Sequence, residues 1–304
     1  MSIVDPDWPR ADEWLASTSE EPALAVVGVP SSSSSLVPSH AFETPTTFRK
    51  ALTGFSTYHS ELDLDVGALP VTDLGDWDVA GLDPDSARDA IGSLAAALPR
   101  GPVYAFLGGD NAITLPLVTG LAGDRLDRVS VLTLDAHHDV RTTLSGPSNG
   151  SPIRGLIEAG LPGQHVAQVG IHSFANSAEY RAFCEDQGFF IVTMDTISDW
   201  GVPDAVEVAL DHLSQRSDWI YVDIDLDVLD RAYAPACPGS RPGGLTPRQL
   251  AEAARICGRH PKVQAADLVE VDSPADRDGI TVMAMAHTFL SFSAGLADRA
   301  GSQE

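Results

Sequence analysis

Basic side chains are scarce in this chain. Nineteen Lys and Arg stand against 43 Asp and Glu, leaving a formal net charge of −24 at pH 7. Nucleic acid and anionic membrane surfaces would repel such a molecule, so neither is expected as a partner. Cysteine is equally sparse. Cys184, Cys237 and Cys257 are scattered and odd in number, which excludes a disulfide framework. No apolar run is expected to be long enough to span a bilayer. The first 21 residues are polar and acidic rather than basic and then apolar, so they predict no signal peptide. These absences predict a soluble, cytoplasmic protein.

Apolar content, by contrast, is ample. At 43% hydrophobic in 304 residues the chain can bury a large core. One α/β domain is expected over residues 1–304, with 1–21 as a polar N-terminal extension. Buried strands are predicted at Ala23 to Val29, Pro102 to Leu107, Val129 to Leu134, His165 to Ile171, Phe189 to Thr193, Trp219 onward and Val263 to Glu270. Helical spacing or capping predicts helices from Thr44 through Leu52, over Asp83 to Leu98, near Ala178 to Gln187, about Pro203 to Gln215, Arg248 to Arg259 and Ile280 to Leu296. Strands alternating with helices imply a parallel sheet covered on both faces. The five serines Ser31 to Ser35 directly follow the first strand, where a flexible linker and a substrate-facing loop are equal expectations.

The stretch Trp219 to Asp230 is the most informative. An apolar, β-branched run leads into Asp223, Asp225 and Asp227, which strand alternation would place on one face. Unpaired burial of three carboxylates is costly, and a divalent cation with oxygen ligands is the simplest remedy. Two other strands end in similar clusters, Asp110-Asn111 and Asp135/His137/Asp139. In a parallel sheet these ends lie along one edge and can converge. A mixed imidazole and carboxylate set suits Mn²⁺, Fe²⁺, Ni²⁺ or Zn²⁺ better than Ca²⁺ or Mg²⁺.

At these residues the chain resembles the ureohydrolase (arginase/agmatinase) superfamily. Its signatures are Gly-Gly-Asp-His, Asp-Ala-His-x-Asp and Asp-x-Asp-x-x-Asp with a Pro/Gly-rich tail. Their counterparts here are Gly108 to Asn111, Asp135 to Asp139 and Asp225 to Asp230, with Ala234-Pro235 and Pro242 to Leu245 behind. The resemblance runs from about Val26 to Leu296. It implies a three-layer α/β/α fold with a mostly parallel central sheet, arginase-like, and a homo-oligomer acting on a small molecule. It also implies two Mn²⁺ ions on Asp135, His137, Asp139, Asp225 and Asp227, which makes Asp223 a neighbour rather than a ligand. Glu270 falls on the acid that pairs with the substrate's cationic amidine-type group.

Two positions depart from the family pattern. The sixth ligand, a histidine in most members, is Asn111, a poorer donor that predicts one weak metal position. Asn149 stands where arginases and agmatinases use a histidine in proton transfer, and an amide cannot shuttle protons. With Pro147 to Pro152 and Gly170 to Ser177, these departures look most like the formimidoylglutamase branch, whose substrate carries two carboxylates. Arg154 is the first candidate to bind those carboxylates and Arg141 the second. His138 and His172 receive no role. The competing readings are a guanidino hydrolase that releases urea and a degenerate fold that binds without turnover.

Overall fold

The structure, a computed structural model, describes residue 5 and residues 7–301. Eight parallel strands form the central sheet: β1 (Leu24–Gly28), β2 (Val71–Asp76), β3 (Val103–Leu107), β4 (Val129–Leu134), β5 (Val166–Ile171), β6 (Phe190–Thr193), β7 (Trp219–Asp225) and β8 (Val263–Val269). Their spatial order is β2-β1-β3-β8-β7-β4-β5-β6, with every neighbouring pair parallel. A separate two-stranded ribbon pairs Tyr58–His59 with Leu64–Asp65.

Burial on both faces explains the near-continuous apolar strands. In β1, Leu24 and Val26 join one apolar cluster while Ala25 and Val27 join the other, as strand alternation requires. Helices cover both faces, giving the three-layer α/β/α architecture expected. The chain inserts its last two strands, β8 and β7, between β3 and β4. The ends of β3, β8, β7 and β4 therefore sit side by side at the centre of one sheet edge, where open α/β sheets form a crevice.

The long helix Ile280–Gly301 corrects one expectation. Its Ile280–Arg299 portion is long and apolar enough to cross a membrane, yet 72% of the most apolar window is buried within the fold. It packs on Pro247–Arg259, and the backbones meet so closely that a Cβ on Gly258 would lie 2.1 Å from the Phe292 carbonyl oxygen. It is a core helix. The stretch expected as a polar extension contains a short helix, Ala11–Leu15, whose Trp14 is buried and donates Nε1–H to the Leu69 carbonyl at 3.0 Å. Residues 1–4 and 6 of that stretch lie outside the described set.

Candidate metal centre and its cleft

The apolar run of β7 ends at Asp225, and a 3₁₀ turn, Leu226–Val228, replaces the strand. Asp225 caps that turn by accepting the Asp227 N–H at 2.8 Å. Simple alternation therefore stops at Asp225, and the turn carries Asp227 to the site. The same device operates after β4. Asp135 accepts the His137 N–H at 2.6 Å, and the loop folds back beside β7. The Ala136 N–H then reaches Asp227 Oδ1 at 3.3 Å. His137 Nδ1 lies 2.9 Å from Asp227 Oδ2 and 3.5 Å from Asp135 Oδ1. One ligand atom from each of Asp135, His137 and Asp227 falls within a 4.8 Å cluster.

Two further acids occupy strained backbone. Asp139 has φ 50° and Glu270 has φ 70°, a left-handed region that side-chain-bearing residues rarely adopt. Each such residue costs on the order of 1–3 kcal/mol and persists where surrounding structure enforces it. The Arg154 backbone N–H holds the Asp139 carbonyl at 3.1 Å, and the Glu270 N–H is held by the Gly109 carbonyl at 2.9 Å. Asn111, fully buried at the end of β3, bridges the two. Its backbone N–H donates to Glu270 Oε1 at 2.7 Å, and its Nδ2 donates to Asp139 Oδ2 at 2.7 Å.

Electrostatics mark this as an excess of buried negative charge. Burial, reinforced by Asp227, pushes Asp135 up to about 7. Burial lifts Asp139 and Asp225 well above the usual carboxylate range, with Asp135 and Asp227 respectively adding repulsion. Burial and Asp110 raise Glu270 to about 8. For His137, burial opposes protonation, but Asp227 and Asp135 overcome it and hold the ring charged up to about 12. In the metal-free protein the imidazolium is thus the cation of the cluster.

The donor set fits a divalent metal. Asp135 Oδ2 is buried with no hydrogen-bond donor. A Cβ on Gly239 would lie 2.0 Å from Asp227 Oδ2 and 3.1 Å from His137 Cε1, so only glycine leaves this space free. Oxygen and imidazole donors together suit Mn²⁺-like ions. Asp223 is fully buried but belongs to a different set. It sits opposite Asp267 in the β7–β8 register.

A cleft of about 190 Å³ opens over the acids and is lined in part by Asp139, Arg141, Asn149, Asp225, Arg241 and Glu270. Asn149 donates Nδ2–H to Glu270 Oε1 at 2.9 Å and accepts the Leu36 N–H at 3.0 Å. Leu36 and Val37, directly after the serine run, form one wall, and the run itself is tied down behind them. Asp110 Oδ2 anchors it by accepting the Ser34 N–H at 3.1 Å and the Ser35 hydroxyl at 2.9 Å. A larger cleft of about 530 Å³ lies at the opposite strand ends. Two of its arginines, Arg125 and Arg128, are already paired with Asp218, and none of the acids above reaches it.

Arg154 is a correction. Its Nε donates to Glu158 Oε1 at 2.7 Å and its guanidinium lies 4.2 Å from the centroid of the Phe183 ring, so it faces away from the cleft. An i, i+4 acid and a neighbouring aromatic capture it, and only its backbone serves the site. Arg141 does line the cleft, and its guanidinium makes no hydrogen bond with the described residues. Arg241, not singled out from the sequence, joins it, braced on the carbonyls of Pro238, Gly239 and Ser240. Its place in the Pro/Gly-rich tail behind Asp230 was the available signal. His138 and His172 are structural: one bonds Gln168 at 2.6 Å, the other the Val228 carbonyl at 3.1 Å.

Comparison with known proteins agrees with this geometry. The Arginase family model matches residues 22–294. The formimidoylglutamase of Halalkalibacterium halodurans is 38% identical over 279 residues, covering 90% of this chain and 86% of that protein. That of Bacillus subtilis is also 38% identical, covering 88% and 85%. The crystal structure of the Bacillus subtilis formimidoylglutamase superposes with a TM-score of 0.91 at 35% identity, over 97% of this chain and 94% of that one. Trypanosoma cruzi formiminoglutamase with Mn²⁺ shares the fold at a TM-score of 0.86 and 22% identity, over 96% and 100%. The chain belongs to the arginase family.

Proposed function

We propose that this chain is a manganese-dependent formimidoylglutamase, built as one α/β domain. It hydrolyses the formimino C–N bond of N-formimidoyl-L-glutamate to glutamate and formamide, a step of histidine degradation. The observation that carries this reading is the 38% identity to formimidoylglutamases over 90% and 88% of the chain. Asp135, His137, Asp139, Asp225 and Asp227 would hold two ions, with Asn111 at the sixth position, and bound there the ions supply the Lewis acidity that makes water nucleophilic near neutral pH.

The remaining work falls to side chains. Asp139 orients the attacking water as a hydrogen-bond acceptor, while a proton must still reach the leaving nitrogen. Asn149 cannot carry that proton, so it positions instead. Two N–H groups fix Glu270 Oε1 and leave Oε2 for the cationic formimino nitrogen. Arg141 and Arg241 flank the cleft and match the two substrate carboxylates by charge-assisted, bidentate hydrogen bonds. A homo-oligomer without nucleic-acid or membrane partners completes the reading, in keeping with the net charge of −24.

The test is product identification. The Mn²⁺-loaded protein is offered formimidoylglutamate, agmatine, guanidinobutyrate and arginine separately. Formamide from the first at far higher kcat/KM than urea from the others is the expected result. Urea from agmatine as the dominant product would move the chain to the guanidino hydrolases.

A further inference from the structure

Behind the Asn111 amide lies a polar chain that the reaction does not itself require. Thr114 Oγ1 is 2.9 Å from Asn111 Oδ1 and 2.7 Å from Asp267 Oδ2. The same Asp267 oxygen accepts the Tyr221 hydroxyl at 2.7 Å, and Oδ1 accepts the Ile224 N–H at 3.3 Å. Thr114, Asn111, Asp267 and Tyr221 are all buried. A threonine hydroxyl carries one proton and cannot donate to both neighbours. The contact to the carboxylate is the shorter and the charge-assisted one, so that proton goes to Asp267. Thr114 Oγ1 is then an acceptor towards Asn111, and only the amide NH₂ can satisfy it.

We propose that Asp267 and Thr114 are positioning residues that turn the Asn111 amide, so that its oxygen rather than its nitrogen faces Asp139 and the metal centre. The two orientations differ by a half-turn about the last side-chain bond and leave the heavy-atom positions almost unchanged. Without a cation, Nδ2 facing Asp139 Oδ2 at 2.7 Å is the favourable arrangement. Turned, the amide would offer its oxygen on the same side as the Asp139 carboxylate as a further donor to a divalent ion, and the Thr114–Asp267 chain supplies the partner that the turned NH₂ needs. The inference rests on the reading of Asn111 as a ligand and deepens it. Partners that orient a metal ligand typically govern about 10- to 100-fold in metal affinity.

The experiment is a Mn²⁺ titration of the intact protein at fixed pH, followed calorimetrically and by the electron paramagnetic resonance of free Mn²⁺. The proteins are wild type, Thr114→Val, Thr114→Ser, Asp267→Asn, Asn111→Ala and Asn111→Ala/Thr114→Val. Valine removes the hydroxyl at nearly constant volume. Weakening of one Mn²⁺ site by roughly tenfold is expected in Thr114→Val, with rescue in Thr114→Ser. Asp267→Asn should weaken the same site, and Thr114→Val should add nothing once Asn111 is alanine. Loss in Asn111→Ala without loss in Thr114→Val or Asp267→Asn overturns the positioning role alone. An equal further loss in the double variant also overturns it, because Thr114 then acts independently of Asn111. Unchanged affinity in Asn111→Ala overturns both the positioning role and the ligand role.

Discussion

Asn149 and Glu270 are 121 positions apart, yet the Asn149 Nδ2 donates to Glu270 Oε1 at 2.9 Å. Because Asn149 also accepts the Leu36 N–H, the wall that follows the serine run and the acid of the cleft are tied through one amide. Asn149→Ala would remove one of the two N–H groups on Oε1. A hydrogen bond to a charged group contributes about 1.5–3 kcal/mol, so kcat/KM for formimidoylglutamate should fall roughly ten- to a hundred-fold while Mn²⁺ content holds. Steady-state kinetics with metal analysis checks this, and an unchanged kcat/KM would remove Asn149 from the site.

The two arginine candidates separate cleanly. Arg141→Ala should raise the KM for formimidoylglutamate roughly ten- to a hundred-fold, the loss of one charge-assisted pair, with a smaller effect on kcat. Arg154→Ala should leave KM within about threefold, since among the described residues its guanidinium meets Glu158 and Phe183 rather than the cleft. The opposite ranking would restore Arg154 to the site.

How far the sequence was legible follows from what each residue needed. The run before Asp225 announced β7 because it is buried on both faces. Strand β2 escaped notice because Val71-Thr-Asp-Leu-Gly-Asp76 is an edge strand, mostly partly or fully exposed, with no apolar alternation. The helix Thr114–Ala122 was hidden by Pro116 and Gly120, which read as breakers although the packed fold tolerates both. The proposed metal-ligating set was visible as motifs, whereas Asp267 looked like one polar residue in an apolar strand. Only the β8 pairing shows that Asp267 lies beside β7 and can meet Thr114.

The buried acids predict the pH behaviour of the metal-free protein. Between about pH 6.5 and 8.5 an unfolded chain has already lost the protons of Asp135 and Glu270, whose ordinary values are 3.8 and 4.5, whereas the folded chain holds them to about 7 and 8. Folded His137 likewise stays protonated to about 12 while its unfolded form titrates near 6.5. In this window the native state binds more protons than the unfolded state, so stability falls as pH rises. Thermal melts in chelator should show Tm decreasing from pH 6.5 to 8.5. Saturating Mn²⁺, which binds deprotonated ligands, should reverse the slope. A chelator Tm that rises across this range would contradict the charge balance of the site.

Asn111→His should tighten Mn²⁺ binding, because imidazole is the stronger donor at that position. About tenfold is the expected scale, read from a metal titration against wild type. Identical affinity would show that the site does not use position 111.

The most direct measurement pairs metal content with product. Purified protein is stripped, reloaded with Mn²⁺ and assayed for glutamate and formamide, beside Asp225→Ala treated identically. The account predicts two Mn²⁺ per reloaded wild-type chain, equimolar glutamate and formamide from formimidoylglutamate, and no turnover from the stripped protein or the variant. Full activity in stripped protein, or an Asp225→Ala variant with wild-type metal content and rate, would contradict it.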